Sequence, residues 1–226
     1  MKSKMNICVI VPTYNEAENI AHIIKKLKNY DLEVVVIDDG SYDDTSKIAE
    51  ACGAKVIKNL KNEGKGAALK KGFDYVLKNN FDAVITMDGD GQHLPEDIPK
   101  FIKRAEESNA SIFIGNRMYD LKNMPLTRKI TNLAMSAFIS FIVKQYIPDT
   151  QCGFRLIKKE ILERFKFTTQ RYETESEILI KTAKAKYRIE SLPINCVYRK
   201  YKKSQINPLM DTLRFIWFII RHYIKH

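Results

Sequence analysis

The sequence predicts an α/β protein with a mostly parallel central sheet, helices on both faces of that sheet, and an amphipathic helix at the C-terminus. Over the first 120 residues, short and nearly continuous apolar runs rich in Val and Ile alternate with amphipathic segments. Strands that are apolar on both sides are typical of sheets covered by helices on both faces. A length of 226 residues fits one large domain with a short appended segment. We therefore expect a domain at 1–207 and an appended helix at 208–226.

The elements of this domain follow from hydrophobic periodicity taken along the chain. Predicted strands lie at residues 6–13, 32–39, 55–58, 82–88 and 110–116. Predicted helices lie at residues 16–29, 43–52, 64–79, 95–107 and 130–143. Asn15 followed three residues later by Glu18 predicts a capping box at the start of the first helix. Gly53 predicts the end of the second helix.

Two apolar helical segments allow two interpretations. Residues 130–143 contain no charged side chain and stand between Arg128-Lys129 and Lys144. A helix of 14 residues is about 21 Å long, which is too short for a hydrocarbon core of about 30 Å. Residues 208–226 combine an apolar stripe with interleaved basic residues. Each segment is either an ordinary core helix or a helix that lies in a membrane interface.

The composition limits the partners of the protein. Apolar residues make up 45% and charged residues 29% of the chain, which excludes a disordered protein. The 38 basic and 27 acidic side chains give a net charge of +11, which favours anionic partners: nucleic acid, phosphorylated small molecules or an acidic membrane surface. The spacing of the four cysteines does not fit a zinc site or a disulfide framework, and the N-terminus does not resemble a signal peptide. We therefore expect a reduced, cytoplasmic protein.

Polar motifs follow four of the predicted strands. They are PTYNE at 12–16, DDGS at 38–41, DGDGQH at 88–93 and NR at 116–117. Ligands of open α/β sheets bind beyond the carboxyl ends of the strands, so these motifs predict one ligand site at that edge.

Asp88, Asp90 and Gln92 offer hard oxygen ligands on a short segment after a strand. Such a set suits Mg²⁺ or Mn²⁺ bound together with a diphosphate. We expect His93 to lie beside this set rather than in it.

Two other patterns are less informative. Gly64, Gly66 and Gly72 match neither the phosphate-loop motif nor the dinucleotide fingerprint, so we expect them to allow close helix packing. The basic and aromatic residues 199–203 are similar to a nucleic-acid patch, but no nucleic-acid-binding motif accompanies them. A protein that binds nucleic acid or another acidic surface is therefore kept as the non-enzyme alternative, while our preferred interpretation has no nucleic-acid partner.

Six motifs together resemble the family 2 glycosyltransferases of GT-A fold. They are VPTYNE, VIDDGSYDDT, NEGKGAALKKGF, MDGDGQHLPEDI, GNR and DTQCGFRL. More narrowly, they resemble the branch that contains dolichyl-phosphate mannose synthases and other polyprenyl-phosphate glycosyltransferases. The resemblance covers nearly the whole chain.

The resemblance implies a role for each residue that matches the family's motifs. Nucleotide-sugar binding falls to Pro12, Tyr14, Glu16, Ile37, Asp39, Asp88, Gly89, Asp90 and Arg117. The metal ligands would be Asp88, Asp90 and Gln92. The acceptor would be bound by Arg128, Arg199 and Ser204, and the catalytic residues would be Asp90, Arg117 and Arg199. The segment after Arg199 departs from the family pattern, because Lys202 replaces a glycine and Gln205 replaces a lysine.

The resemblance also implies an activity. The expected reaction moves a hexose, mannose or glucose, from a GDP- or UDP-sugar to a polyprenyl phosphate, with Mg²⁺ or Mn²⁺ as cofactor and inversion of the anomeric centre. The enzyme would lie peripherally on the cytoplasmic face of the membrane. Whether a separate membrane protein anchors it there is left open by the sequence.

An alternative is transfer to a saccharide or protein hydroxyl, with Glu175 or Glu177 as the base. A phosphate acceptor is already ionised and needs no such base. The other interpretation of these two glutamates is that they lie on an exposed helix face.

Overall fold

The structure is a computed structural model that describes residues 5–120 and 124–198 and the single residue Ile219. Within these residues, seven strands form one sheet: β1 (Ile7–Thr13), β2 (Glu33–Asp38), β3 (Lys55–Lys58), β4 (Ala83–Thr86), β5 (Ile112–Asn116), β6 (Arg155–Lys158) and β7 (Ile189–Pro193). The α-helices of the same residues are α1 (Ala17–Leu27), α2 (Thr45–Ala51), α3 (Lys65–Lys78), α4 (Ile98–Glu107), α5 (Leu126–Val143), α6 (Lys159–Arg164) and α7 (Glu173–Lys184). Short 3₁₀ turns lie at Lys28–Tyr30, Pro95–Asp97 and Arg117–Tyr119.

The strand order is β3-β2-β1-β4-β6-β5-β7, and β6 runs antiparallel to both of its neighbours. All other neighbouring strands are parallel. The prediction of a mostly parallel sheet is confirmed, and each of the five predicted strands is present. β6 and β7 were not predicted, because they lie beyond residue 120, where apolar runs and amphipathic segments no longer alternate regularly.

This topology brings seven loops to one edge of the sheet. The parallel strands β1, β2, β3, β4, β5 and β7 all end at the same edge. Because β6 is antiparallel, it begins there, so residues 149–154 arrive from the opposite direction. The polar motifs predicted from the sequence therefore share this edge with two segments, 149–154 and 194–198, that come from the second half of the chain.

The glycines around the start of α3 permit close packing. A Cβ on Gly66 would lie 1.9 Å from the hydroxyl of Thr174, and one on Gly72 would lie 2.6 Å from Ile10 on β1. Only a residue without a side chain fits at such distances. The prediction that these glycines serve helix packing is confirmed.

The predicted capping box of α1 is wrong. Asn15 adopts a left-handed conformation with φ of 56°, and Glu16 is the residue at the N-cap position. The side chain of Asn15 accepts a hydrogen bond from the backbone of Tyr42, and its own N–H donates to Ser41. Asn15 tolerates this conformation better than most residues, and it joins the loop after β1 to the loop after β2. The backbone amide of Ala17, the first residue of α1, donates instead to the side chain of Asp43 in the loop after β2.

Helix α5 exposes several large apolar side chains and buries two polar ones beside the apolar Ile139 and Val143. Its exposed face carries Leu126, Ile130, Leu133 and Phe141, with Phe141 82% exposed. Its inner face includes the buried residues Asn132 and Ser136, and Ser136 contacts Thr150 through two hydrogen bonds. The helix begins four residues earlier than predicted, directly after Pro125.

None of the described helices is long and apolar enough to cross a membrane. The predicted C-terminal helix at 208–226 lies outside the described residues, except for Ile219, which is partly buried against the core.

Candidate active site

The carboxyl ends of the parallel strands form one edge of the sheet, which we call the carboxyl edge. Asp88 follows β4, the middle strand, at this edge and forms an ion pair with Lys65. Lys65 Nζ is 2.5 Å from Asp88 Oδ1 and 3.1 Å from Glu175 Oε1, so one ammonium group joins two carboxylates. Burial raises the pKa of Asp88, but the charges of Lys65 and Arg117 outweigh it and lower the pKa to about 2. Asp88 is therefore ionised at neutral pH.

Asp90 and Gln92 form a chain that leads to α5. Asp90 accepts hydrogen bonds from the backbone and the side-chain amide of Gln92, at 2.9 Å and 2.7 Å. Arg128, in the first turn of α5, donates to Gln92 Oε1 at 3.0 Å. The structure thus connects the residue that the sequence assigns to the acceptor with the motif that it assigns to the metal.

The oxygen atoms of Asp88, Asp90 and Gln92 fit a hard divalent cation in chemical type. Among the described residues no group of three His, Cys, Asp or Glu side chains could hold a metal ion alone. Two carboxylates and one amide leave several positions for other ligands, as expected for Mg²⁺, which keeps waters or binds substrate phosphates. The assignment of these three residues as metal ligands stays a prediction.

The side chain of His93 contacts the backbone of the loop after β4. Its side chain is buried, its Nδ1 accepts a hydrogen bond from the backbone of Asp88 at 3.4 Å, and its ring packs against Phe154. Burial lowers the pKa of His93 more than Asp88 and Asp90 raise it. A neutral imidazole with an acceptor nitrogen toward Asp88 fits this contact.

Arg117 is held by a buried carboxylate that the sequence analysis did not single out. Asp149 is fully buried and accepts three hydrogen bonds from Arg117: from its backbone at 3.0 Å, from Nε at 2.7 Å and from Nη2 at 2.9 Å. Burial lowers the pKa of Arg117, but neighbouring groups that include the hydrogen-bonded carboxylate of Asp149 outweigh burial and raise this pKa well above its usual value. Arg117 also lines a cavity of about 220 Å³, whose other lining residues are Asp120, Ile194, Asn195, Cys196 and Tyr198.

The loops after β1 and β4 are in close contact. A Cβ on Gly89 would lie 2.6 Å from Thr13 and 3.3 Å from the carbonyl oxygen of Pro12. Glu16 is buried and accepts a hydrogen bond from Asn19, and Tyr14 is half-buried near Tyr42. The predicted nucleotide-binding residues of these two motifs therefore lie together.

Two other predicted nucleotide-binding residues lie at the end of β2. The side chain of Ile37 is fully buried within the sheet. The carboxylate of Asp39 accepts hydrogen bonds from Asn59 and from the backbone amides of Glu63 and Gly64, at 2.7 to 2.9 Å. Asp39 thus orders the loop that leads into α3, and its role toward a nucleotide stays a prediction.

The DTQCGFRL motif supplies structural groups that sequence reasoning missed. Arg155 is buried and donates to the backbone oxygens of Cys152, Thr150 and Glu175. A Cβ on Gly153 would lie 2.7 Å from both carboxylate oxygens of Asp88. The resemblance had marked the motif, but only tertiary contacts show what its residues do.

The interpretation of Glu175 and Glu177 as exposed residues is wrong, since both are buried. Glu177 accepts hydrogen bonds from the backbone and hydroxyl groups of Thr168 and Thr169 and pairs with Lys181. It therefore stabilises the segment before α7. Glu175 contacts Lys65 and so belongs to the site.

Arg199 and Ser204, predicted to bind the acceptor, lie outside the described residues, as do Lys202 and Lys203.

The fold is that of a solved glycosyltransferase. It matches glucosyl-3-phosphoglycerate synthase from Mycobacterium tuberculosis, crystallised with Mn²⁺, UDP and phosphoglyceric acid, with a TM-score of 0.76 at 20% identity over 97% of this chain and 79% of that one. This likeness confirms the GT-A fold.

The family model for Glycosyl transferase family 2 matches residues 8–165, so the chain belongs to this family. It is 33% identical to the UDP-N-acetylglucosamine–dolichyl-phosphate N-acetylglucosaminyltransferase of Methanococcus voltae over 93% of this chain and 93% of that protein. It is 27% identical to the undecaprenyl-phosphate mannosyltransferase of Micrococcus luteus over 90% of this chain and 88% of that protein. The family resemblance seen in the motifs is confirmed.

Proposed function

We propose that the protein transfers a hexose, with inversion, from a nucleoside diphosphate sugar to a polyprenyl phosphate at the cytoplasmic face of a membrane, with Mg²⁺ or Mn²⁺ as cofactor. The two named relatives act on dolichyl and undecaprenyl phosphate by their names, and they match this chain along nearly its full length. The Mn²⁺ and UDP of the solved glycosyltransferase support a metal and a nucleotide in the same fold.

One observation carries the acceptor assignment. Arg128 contacts Gln92 in the motif after β4 and also stands in the first turn of α5, whose outer face is apolar. An acceptor that is a phosphate on a long apolar chain needs a cation and an apolar surface next to the donor site. Arg128 and α5 offer both.

The chemistry asks little of the protein beyond position and charge. A phosphate monoester is ionised at neutral pH, so it can attack the sugar carbon without a general base. Asp88, Asp90 and Gln92 would hold the metal, which would supply positive charge to the departing diphosphate. Arg117, fixed by Asp149, and Arg128 add positive charge at the same edge and orient the two phosphate-bearing substrates.

Transfer to a hydroxyl acceptor would need a base at this edge. Glu175 shares Lys65 with Asp88, so its Oε1 is in contact with an ammonium group. The carboxylate of Glu177 accepts hydrogen bonds from backbone amides of the segment before α7. Neither arrangement favours a base, so the phosphate acceptor remains our proposal.

Binding of the donor should raise the melting temperature only when metal is present. We expect either GDP or UDP, with Mn²⁺, to stabilise the protein, because a ligand that binds the folded state raises the apparent stability by mass action. The measurement is a thermal-shift series with each nucleotide, with and without Mn²⁺, followed by product analysis with polyprenyl phosphate and with soluble saccharides as acceptors. Product on saccharides alone would contradict the lipid acceptor.

We also propose that α5 contacts an anionic bilayer. Its exposed apolar side chains lie beside Arg128 and Lys129, and the whole chain carries a charge of +11. Apolar residues that enter the interface, together with basic residues near anionic headgroups, are the usual basis of peripheral binding.

Replacing Leu133 with glutamate should reduce binding to vesicles of phosphatidylglycerol and phosphatidylcholine about tenfold, because it removes buried apolar area and adds repulsion. Leu60→Glu is the matched control, since Leu60 is fully exposed and lies outside α5. Sedimentation with the vesicles measures both variants. Wild-type binding by Leu133→Glu, with an unchanged melting temperature, would rule out α5 as the contact.

A further inference from the structure

Lys65 lies between two carboxylates at the candidate site. Its ammonium group contacts Asp88 after β4 and Glu175 in the first turn of α7, while Lys65 itself begins α3. All three side chains are largely buried, with exposed fractions of 19%, 27% and 11% for Lys65, Asp88 and Glu175. Two carboxylates that share one cation are also the oxygen set that a hard divalent ion prefers.

The surrounding backbone is shaped to permit this contact. Gly64 has a φ of 101°, and a Cβ there would lie 2.7 Å from the carbonyl oxygen of Gln170. The backbone of Ala67 also donates to that oxygen, at 2.9 Å, so the start of α3 is fixed against the segment before α7. On the other side, a Cβ on Gly153 would lie 2.9 Å from Lys65 Nζ. Three segments distant in sequence therefore place the ammonium group between the two carboxylates.

The charges explain what the contact does before substrate arrives. Lys65 neutralises one of the two carboxylates it touches, and Arg128 occupies the oxygen of Gln92. A divalent ion that approaches alone must compete with both side chains.

We infer that Lys65 acts as a built-in counter-cation that prevents metal from binding without the donor. The inference rests on the proposed function. A diphosphate brings negative charge and further oxygen ligands, so metal and donor together can displace Lys65 from Asp88, whereas metal alone binds weakly. Metal binding thereby becomes dependent on the nucleotide, and Lys65 is a positioning residue for Asp88.

The test measures Mn²⁺ binding to the full chain by titration with Mn²⁺ alone and then with GDP or UDP present. For the wild type we expect weak binding of Mn²⁺ alone and at least tenfold tighter binding with the nucleotide. Lys65→Met should bind Mn²⁺ alone at least tenfold more tightly than the wild type, because Asp88 and Glu175 then form an uncompensated pair. Lys78→Met is the control, since Lys78 is an exposed lysine of the same helix.

A second variant separates this effect from general damage. Lys65→Met with Glu175→Gln should lose the tighter Mn²⁺ binding, because one carboxylate of the pair is gone. Added Mn²⁺ should raise the melting temperature of Lys65→Met but not that of the double variant. If Lys65→Met does not fold, Lys65→Gln keeps a polar group of similar length and is expected to behave in the same way.

The outcomes distinguish this inference from the proposed function. Equal Mn²⁺ affinity in Lys65→Met and the wild type, both without nucleotide, would overturn the role of Lys65. So would a wild type that binds Mn²⁺ equally well with and without a nucleotide that does bind. Failure of every nucleotide to bind would instead overturn the donor assignment, and the Mn²⁺ comparison without nucleotide would still decide the inference.

Discussion

Replacing Asp90 with alanine is expected to lower the rate of sugar transfer about a thousandfold or more while the fold persists. A rate loss of that size corresponds to about 4 kcal/mol of transition-state stabilisation, which is within the range of one removed electrostatic contact or metal contact. Asp90 is a proposed ligand of the cation that neutralises the departing diphosphate. The loss should appear in the turnover number even at saturating Mn²⁺ and donor.

The contacts of Asp90 explain why the fold should tolerate the change. Its two hydrogen bonds both come from Gln92, two residues away, and its side chain is partly exposed. Asp88 differs, since its side chain pairs with Lys65 and packs under Gly153. Alanine at position 90 thus removes a proposed ligand without leaving a buried charge alone.

The measurement is single-turnover transfer from the nucleotide sugar to polyprenyl phosphate, together with thermal unfolding of each variant. Asp74→Ala is a suitable control, because it removes one exposed carboxylate from α3 and lies away from the carboxyl edge. A rate for Asp90→Ala within tenfold of the wild type would remove Asp90 from the reaction. A large fall in the melting temperature would show that its role is structural.

The sequence predicted the parallel half of the fold well, because that half consists of local signals. β1 and β2 are continuous apolar runs, and each is followed by a polar motif at its carboxyl end. The antiparallel β6 gives no such signal. Its place between β4 and β5 depends on pairing with strands far away in the chain.

The residues of the candidate site divide in the same way, into those that local sequence predicts and those that only tertiary contacts reveal. Asp88 and Asp90 could be found from spacing alone, since a local pattern of carboxylates carries its own chemistry. Lys65 and Asp149 could not, because each acquires its role from a partner in another segment. Lys65 even stood within a glycine pattern whose packing role was predicted correctly. Which side chain such packing brings to the carboxylates is a tertiary fact.

Asp149 offers a test of how much such a tertiary contact contributes. Replacing Asp149 with asparagine should lower the free energy of unfolding by about 3–5 kcal/mol, because it removes one partner of a buried ion pair and leaves the charge of Arg117 uncompensated. That is a large share of the 5–15 kcal/mol typical of a folded domain. Urea denaturation at neutral pH measures the change, with an unchanged slope indicating that the unfolded state is the same.

A double-mutant cycle separates this pair from ordinary packing loss. Arg117→Met combined with Asp149→Asn should be less destabilising than the sum of the two single variants, because the double variant leaves no unpaired buried charge. Asp44→Asn is the surface counterpart, since it breaks the exposed pair with Lys47 and should change stability little. If Asp149→Asn were no more destabilising than Asp44→Asn, the three hydrogen bonds to Arg117 would not hold the arginine in place. Arg117 would then need another anchor before a phosphate-binding role could be argued from its position.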